Sequence, residues 1–160
     1  MNKNLVAYFS ATGVTKRVAQ NLSQAINSDI YEIQPKVKYT DADLNWLDKQ
    51  ARSTIEMADK SFRPEIIEDN FNISEYDTIF LGFPIWWYVA PTIINTFLEK
   101  HNFSNKKIVL FATSGGSKFG KTVEDLRISV SDSTEIIEGG ILNGATSVEQ
   151  LKIWAENICK

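Results

Sequence analysis

The sequence has a single cysteine, Cys159, and a single histidine, His101. A lone thiol closes no internal disulfide. With no second cysteine or histidine at ligand spacing it builds no zinc site either, so a reducing compartment, the cytoplasm, is the expected location. No apolar run approaches the roughly 18 residues that a membrane span needs, and no cleavable apolar leader follows Met1, so a soluble protein without a membrane partner is expected. Lys and Arg number 17 against 20 Asp and Glu, a net charge of −3, and the basic residues are scattered. A nucleic-acid surface is therefore not expected. No paired carboxylates or Ser/His/Asp set stands out, and neither a G-x-G-x-x-G fingerprint nor a GKS/GKT loop ending is present. Without such groups, whatever chemistry occurs falls to a cofactor.

What is present is alternation. Three apolar segments, Leu5 to Phe9, Thr78 to Phe83 and Lys107 to Thr113, have the continuous apolarity of strands buried on both faces. Asp29 to Ile33 and Glu135 to Glu138 are shorter and charged, as edge strands are. Helical stripes lie between them: Val14, Val18, Leu22, Ala25 and Ile26; then Ile93, Ile94, Phe97 and Leu98 after Pro91; then Val123, Leu126 and Val130. A last stripe of Val148, Leu151, Ala155 and Ile158 follows the capping-box pattern Ser147-Val148-Glu149-Gln150. This order predicts one α/β domain over residues 1–160, a parallel five-stranded sheet with helices on both faces. The interval from Ile33 to Asp77 is too long for a bare loop. Leu44, Leu47, Ala51, Ile55 and Ala58 predict a helix there, entered at Thr40 or Asp41, with Glu65 to Ser74 as an extended strap.

In an open parallel sheet, ligands bind beyond the carboxyl ends of the strands. The loops after the three central strands therefore share a rim: Ser10-Ala11-Thr12-Gly13-Val14-Thr15, Pro84-Ile85-Trp86-Trp87-Tyr88, and Thr113-Ser114-Gly115-Gly116-Ser117. The first offers hydroxyls, free helix-start amides and a glycine that permits close backbone approach, which suits an anion. A helix N-cap by Ser10 or Thr12 is the plainer reading of that hexapeptide. The second sets three aromatic rings at a strand end, as a platform for a flat ligand or as packing under the long excursion. The third could present the amides of Gly115 and Gly116 to polar ring atoms. A phosphate cradle, an aromatic platform and an amide-rich turn together describe a ligand with a phosphate at one end and a flat polar ring at the other. FMN meets that description.

On these residues the chain resembles the flavodoxin family over nearly its whole length, with Ser10, Thr12, Gly13 and Thr15 matching the family's phosphate loop. The resemblance implies the flavodoxin-like strand order 2-1-3-4-5, with FMN as the cofactor across the ends of the central strands. It also implies electron transfer with a redox partner protein or a small-molecule acceptor. The stretches from Phe83 to Pro91 and Thr113 to Ser117 also look like the DT-diaphorase type of quinone reductase, which makes an FMN-dependent NAD(P)H:quinone (or similar acceptor) oxidoreductase one alternative, beside a non-redox module that binds another phosphorylated aromatic ligand. The second loop has no glycine, the three loops have no Asp or Glu, and Lys118 and Lys121 follow the third. These departures from electron-carrier flavodoxins argue against a very low reduction potential.

The remaining candidates read as ordinary. His101 is expected to be a solvated helix-end residue and Cys159 a buried one. Arg52 and Glu56 are expected to form a surface pair. Trp46 falls off the inward stripe of its helix, and either a homodimer contact or a roof over the ligand would use it.

Overall fold

The computed structural model describes residues 3–68, 71–114, 116–143 and 146–158. Its elements alternate as the sequence predicts: β1 Asn4–Tyr8, α1 Val14–Ile26, β2 Asp29–Glu32, α2 Arg52–Ala58, a 3-10 turn Ile73–Glu75, β3 Thr78–Pro84, α3 Thr92–Lys100, β4 Lys107–Thr113, α4 Thr122–Arg127, β5 Glu135–Ile141 and α5 Val148–Ile158. All strand pairs are parallel and the order is β2-β1-β3-β4-β5. Alternation along the central strands splits the core in two. Leu5, Ala7, Ile79, Leu81, Ile108 and Leu110 face α3 and α4, while Val6, Phe80, Val109 and Phe111 face α1 and α5. The charged strands β2 and β5 are the edges.

Local chemistry sets the helix ends. Ser147 Oγ accepts from the Gln150 amide at 3.1 Å and Gln150 Oε1 accepts from the Ser147 amide at 2.9 Å, so the predicted capping box starts α5. Thr40 and Asp43 exchange the same two bonds, yet no long helix follows. Asn45 Oδ1 takes the Leu47 amide and Asp48 Oδ1 takes that of Gln50. These short polar side chains compete with helical bonding and divide 41–50 into turns, leaving only Arg52–Ala58 helical. Val14 departs from its predicted stripe and is 47% exposed, because α1 begins at that residue, at the sheet rim and beyond the packed face.

The Arg52–Glu56 pair is not on the surface. Glu56 is 3% exposed and accepts from Arg52 Nε at 2.8 Å and from the Tyr39 hydroxyl at 2.5 Å. The Arg52 guanidinium lies 3.8 Å from the Tyr39 ring centroid and also donates to the Val37 carbonyl. Burial and the Glu56 carboxylate push the Tyr39 hydroxyl pKa up, so it stays protonated as the donor. The excursion thus folds back on itself through a buried carboxylate. Its strap is held by an antiparallel bridge between Pro35 and Ile66, flanked by bonds from Lys36 N to Glu65 O and from Ile67 N to Gln34 O. His101 is also not a solvated end: it is half-buried with its ring 5.1 Å from that of Phe97 and 5.4 Å from that of Phe71. Cys159 lies outside the described residues.

Removing Glu56 leaves the Tyr39 hydroxyl without its acceptor and the part-buried Arg52 without its counter-charge, so Glu56→Ala is expected to cost about 2 kcal/mol in urea unfolding. Tyr39→Phe is expected to cost about 1 kcal/mol. A near-neutral Glu56→Ala would show that the network does not hold the excursion.

Candidate functional site

Parallel pairing brings the three predicted loops to one rim, around a cleft of about 650 Å³. From the first loop Ala11, Thr12 and Thr15 line it; from the second, Pro84, Ile85, Trp86, Trp87 and Tyr88; from the third, Thr113, Ser114, Gly116 and Ser117. Ser10, Gly13 and Val14 do not line the cleft wall, and Gly115 lies outside the described residues. The excursion adds Leu44, Trp46 and Ser53. Of these, Ser53 carried no signal in the sequence, because only the short turns before α2 bring it to the rim.

Gly13 occupies the N-cap of α1 at φ +99°, a conformation that L side chains rarely adopt. No side chain caps the helix, so neither Ser10 nor Thr12 is an N-cap. Instead Ser10 Oγ accepts from the Gly13 amide at 3.1 Å and shapes the turn. The amides of Val14, Thr15 and Lys16 have no intrahelical partner by geometry, which leaves donors and a positive dipole end at the first loop. The Thr15 and Thr113 hydroxyls are buried and hydrogen-bonded to each other at 2.7 Å, tying the start of α1 to the end of β4.

The second loop is a tight turn. Trp86 and Val89 exchange backbone hydrogen bonds of 2.9 and 3.1 Å, and between them Trp87 and Tyr88 have φ of +49° and +70°. Two consecutive left-handed residues are the signature of hairpin turns usually built from Asn and Gly. Held by bulky aromatics, each costs about 1–3 kcal/mol. The three rings have different surroundings. Trp86 packs edge-on against Phe9 and Tyr39, with centroids 5.6 and 5.4 Å away. Trp87 and Tyr88 are 40% and 71% exposed.

In the third loop the Gly116 amide is engaged, because Ser114 Oγ accepts from it at 3.2 Å and from the Ser117 amide at 2.8 Å. The expected presentation of this amide to a ligand is therefore not what the loop shows. The short side chain of Ser114 reaches its own turn first. Among the described residues, none that lines the cleft is charged. The Ser53 hydroxyl is buried there with no hydrogen-bond partner, an acceptor and donor left for a polar ligand atom. Among the described residues no group of His, Cys, Asp or Glu could hold a metal ion, and no helix is long and apolar enough to cross a membrane.

The chain matches the family model of flavodoxin over residues 3–158. None of the curated proteins compared with it matches. Among solved structures it is similar to a candidate flavoprotein of Bacteroides uniformis ATCC 8492, with 46% identity, 97% of this chain and 98% of that one covered, and a TM-score of 0.89. A candidate flavoprotein of Bacteroides eggerthii DSM 20697 gives 44% identity, 100% and 99% coverage and a TM-score of 0.91. A flavoprotein of Lactobacillus acidophilus NCFM, crystallised in complex with FMN, gives 26% identity, 88% and 92% coverage and a TM-score of 0.65. With the family model spanning nearly every residue and the strand order in agreement, the chain belongs to the flavodoxin family.

Proposed function

We propose that the protein binds FMN in the rim cleft and transfers electrons through it to a redox partner protein or a small-molecule acceptor. The observation that carries this reading is the convergence, around one cleft, of Ala11, Thr12 and Thr15 at the start of α1 with three aromatic side chains. The residues present fit the cofactor. Thr12 and the start of α1 suit a phosphate, the exposed rings of Trp87 and Tyr88 suit a flat ring, and the orphaned Ser53 hydroxyl suits a polar ring or ribityl atom. Family membership and the FMN complex of the Lactobacillus relative support the same choice.

Bound FMN supplies reversible one- and two-electron transfer at its ring. The protein's share is positioning and electrostatics. The start of α1 would hold the phosphate without a lysine, and the Thr15–Thr113 bond fixes the distance between that end of the cleft and the third loop. Trp86, braced by Phe9 and Tyr39, forms a rigid wall that excludes water. Among the described residues no carboxylate lines the cleft, so the lining would set no like charge beside a reduced ring, which would favour a reduction potential less negative than in an acidic site.

The same neutrality favours one second reading, an NAD(P)H-dependent oxidoreductase, since an anionic dinucleotide meets no repulsion from the cleft lining. Stopped-flow mixing of FMN-loaded protein with NADH and NADPH separates the two. Bleaching of flavin absorbance within the time of turnover supports the enzyme, and no bleaching leaves the carrier.

Titrations are expected to show riboflavin binding on the order of a hundredfold more weakly than FMN, because the phosphate's charge-assisted hydrogen bonds are lost. Equal affinities would remove the phosphate cradle. Trp87→Ala is expected to weaken FMN binding by about 1–3 kcal/mol if that ring stacks on the flavin. The double substitution Trp87→Asn, Tyr88→Gly relieves the left-handed strain, so the protein without FMN is expected to gain about 1–3 kcal/mol in stability while FMN affinity falls. A gain in both would show that the turn's aromatics serve no ligand.

A further inference from the structure

A second cavity, of about 330 Å³, lies on the far side of the Trp87–Tyr88 turn, and both residues border it as well as the rim cleft. It is bordered by the end of α2, the start of α3, the length of α4 and Gly120, where φ is +54° and an added Cβ would meet the Tyr88 carbonyl. That close approach fixes the turn between the two cavities. The size is at the lower end of small-molecule sites, enough for one or two fused rings.

The walls are apolar, chiefly Met57, Val89 and Ile128, and one polar group within them is unaccounted for. Thr92 is 5% exposed, and its hydroxyl has no hydrogen-bond partner. Its neighbour Asn95 shows the contrast: Asn95 Nδ2 donates to the Asp125 carbonyl at 3.0 Å and to Ser129 Oγ at 2.9 Å. A buried hydroxyl without a partner calls for an explanation, and a ligand oxygen supplies one. Three charged residues line the cavity, Lys60, Lys121 and Asp125. Lys60 Nζ and Asp125 Oδ1 neutralise each other at 3.2 Å, leaving the single positive charge of Lys121.

We propose that this cavity is a second ligand site, distinct from the flavin cleft, for a planar, mostly apolar ring carrying a carboxylate. The ring lies against Met57, Val89 and Ile128, a carboxylate oxygen accepts from the Thr92 hydroxyl, and Lys121 supplies the attracting charge. The site does not depend on FMN occupying the rim cleft, but a ligand in it would press on the turn that walls that cleft.

The test uses the whole protein saturated with FMN, so that the rim cleft is filled, and 2-naphthoate as the probe, followed by amide NMR. Loading is checked first by flavin absorbance. If FMN does not load, the reading under the previous heading fails, and the probe is titrated into the protein alone. The expected result is that the shifted amides centre on Thr92, Asn95, Gly120 and Ile128, and that naphthalene binds about tenfold more weakly. Thr92→Val is expected to weaken 2-naphthoate binding about three- to tenfold, the loss of one hydrogen bond, with FMN affinity unchanged. Without probe, the same variant is expected to keep or raise the melting temperature, since an unpartnered hydroxyl is removed. Shifts centred on Thr12, Trp86 and Ser114, no saturable binding, equal binding of naphthalene, or equal binding by Thr92→Val would overturn the site. A markedly lower melting temperature for Thr92→Val would do so as well, by showing that the hydroxyl already has a partner within the fold.

Discussion

Every feature of the rim depends on the strands running in one direction. Parallel pairing sends all five carboxyl ends to the same edge, and each crossover helix then starts there with its unpaired amides. Loops far apart in the chain become neighbours for that reason alone. The hydrogen bond between the hydroxyls of Thr15 and Thr113 crosses 98 residues of sequence. It joins the beginning of α1 to the end of β4, so the anion-binding end and the third loop are set by the sheet and not by loop flexibility.

The sheet does not supply the remaining wall, which comes from the excursion between β2 and β3 and from one buried carboxylate within it. Glu56 accepts from both Tyr39 and Arg52, and the Tyr39 ring in turn meets Trp86 edge-on. A buried ion pair of this kind contributes little net stability compared with apolar packing, but it fixes geometry strongly because leaving either charge alone is costly. The chain thereby gains a defined position for an aromatic side chain of the cleft from charges some distance behind it.

The backbone strain of the second loop belongs to the same design. Trp87 and Tyr88 hold left-handed conformations that glycine or asparagine would adopt at little cost, and Gly120 gives way so that the turn can pack closely. Strain held by two large rings at the boundary of two cavities makes sense if the rings themselves are what the position requires. The uncharged lining of the rim cleft complements this, leaving aromatic faces, hydroxyls and amides to set the environment of a bound ring.

The sequence by itself determined the alternation of elements, the central and edge strands, the strand order through its family resemblance, and the three loops that meet at the rim. These follow from hydrophobic periodicity and from local turn and capping chemistry, which act within a few residues. Only the tertiary structure decided what depends on distant partners. Arg52 and Glu56 at helical spacing look like a surface pair until Tyr39 and the folded excursion bury the Glu56 carboxylate. The stripe from Leu44 to Ala58 looks like one helix until Asn45 and Asp48 take its amides. Gly116 looks like a free donor until Ser114 turns back on it, and Ser53 and Thr92 look like ordinary helical residues until burial leaves their hydroxyls without partners. In each case the deciding term is desolvation or competition for a hydrogen bond, and neither exists until the chain has packed around the group.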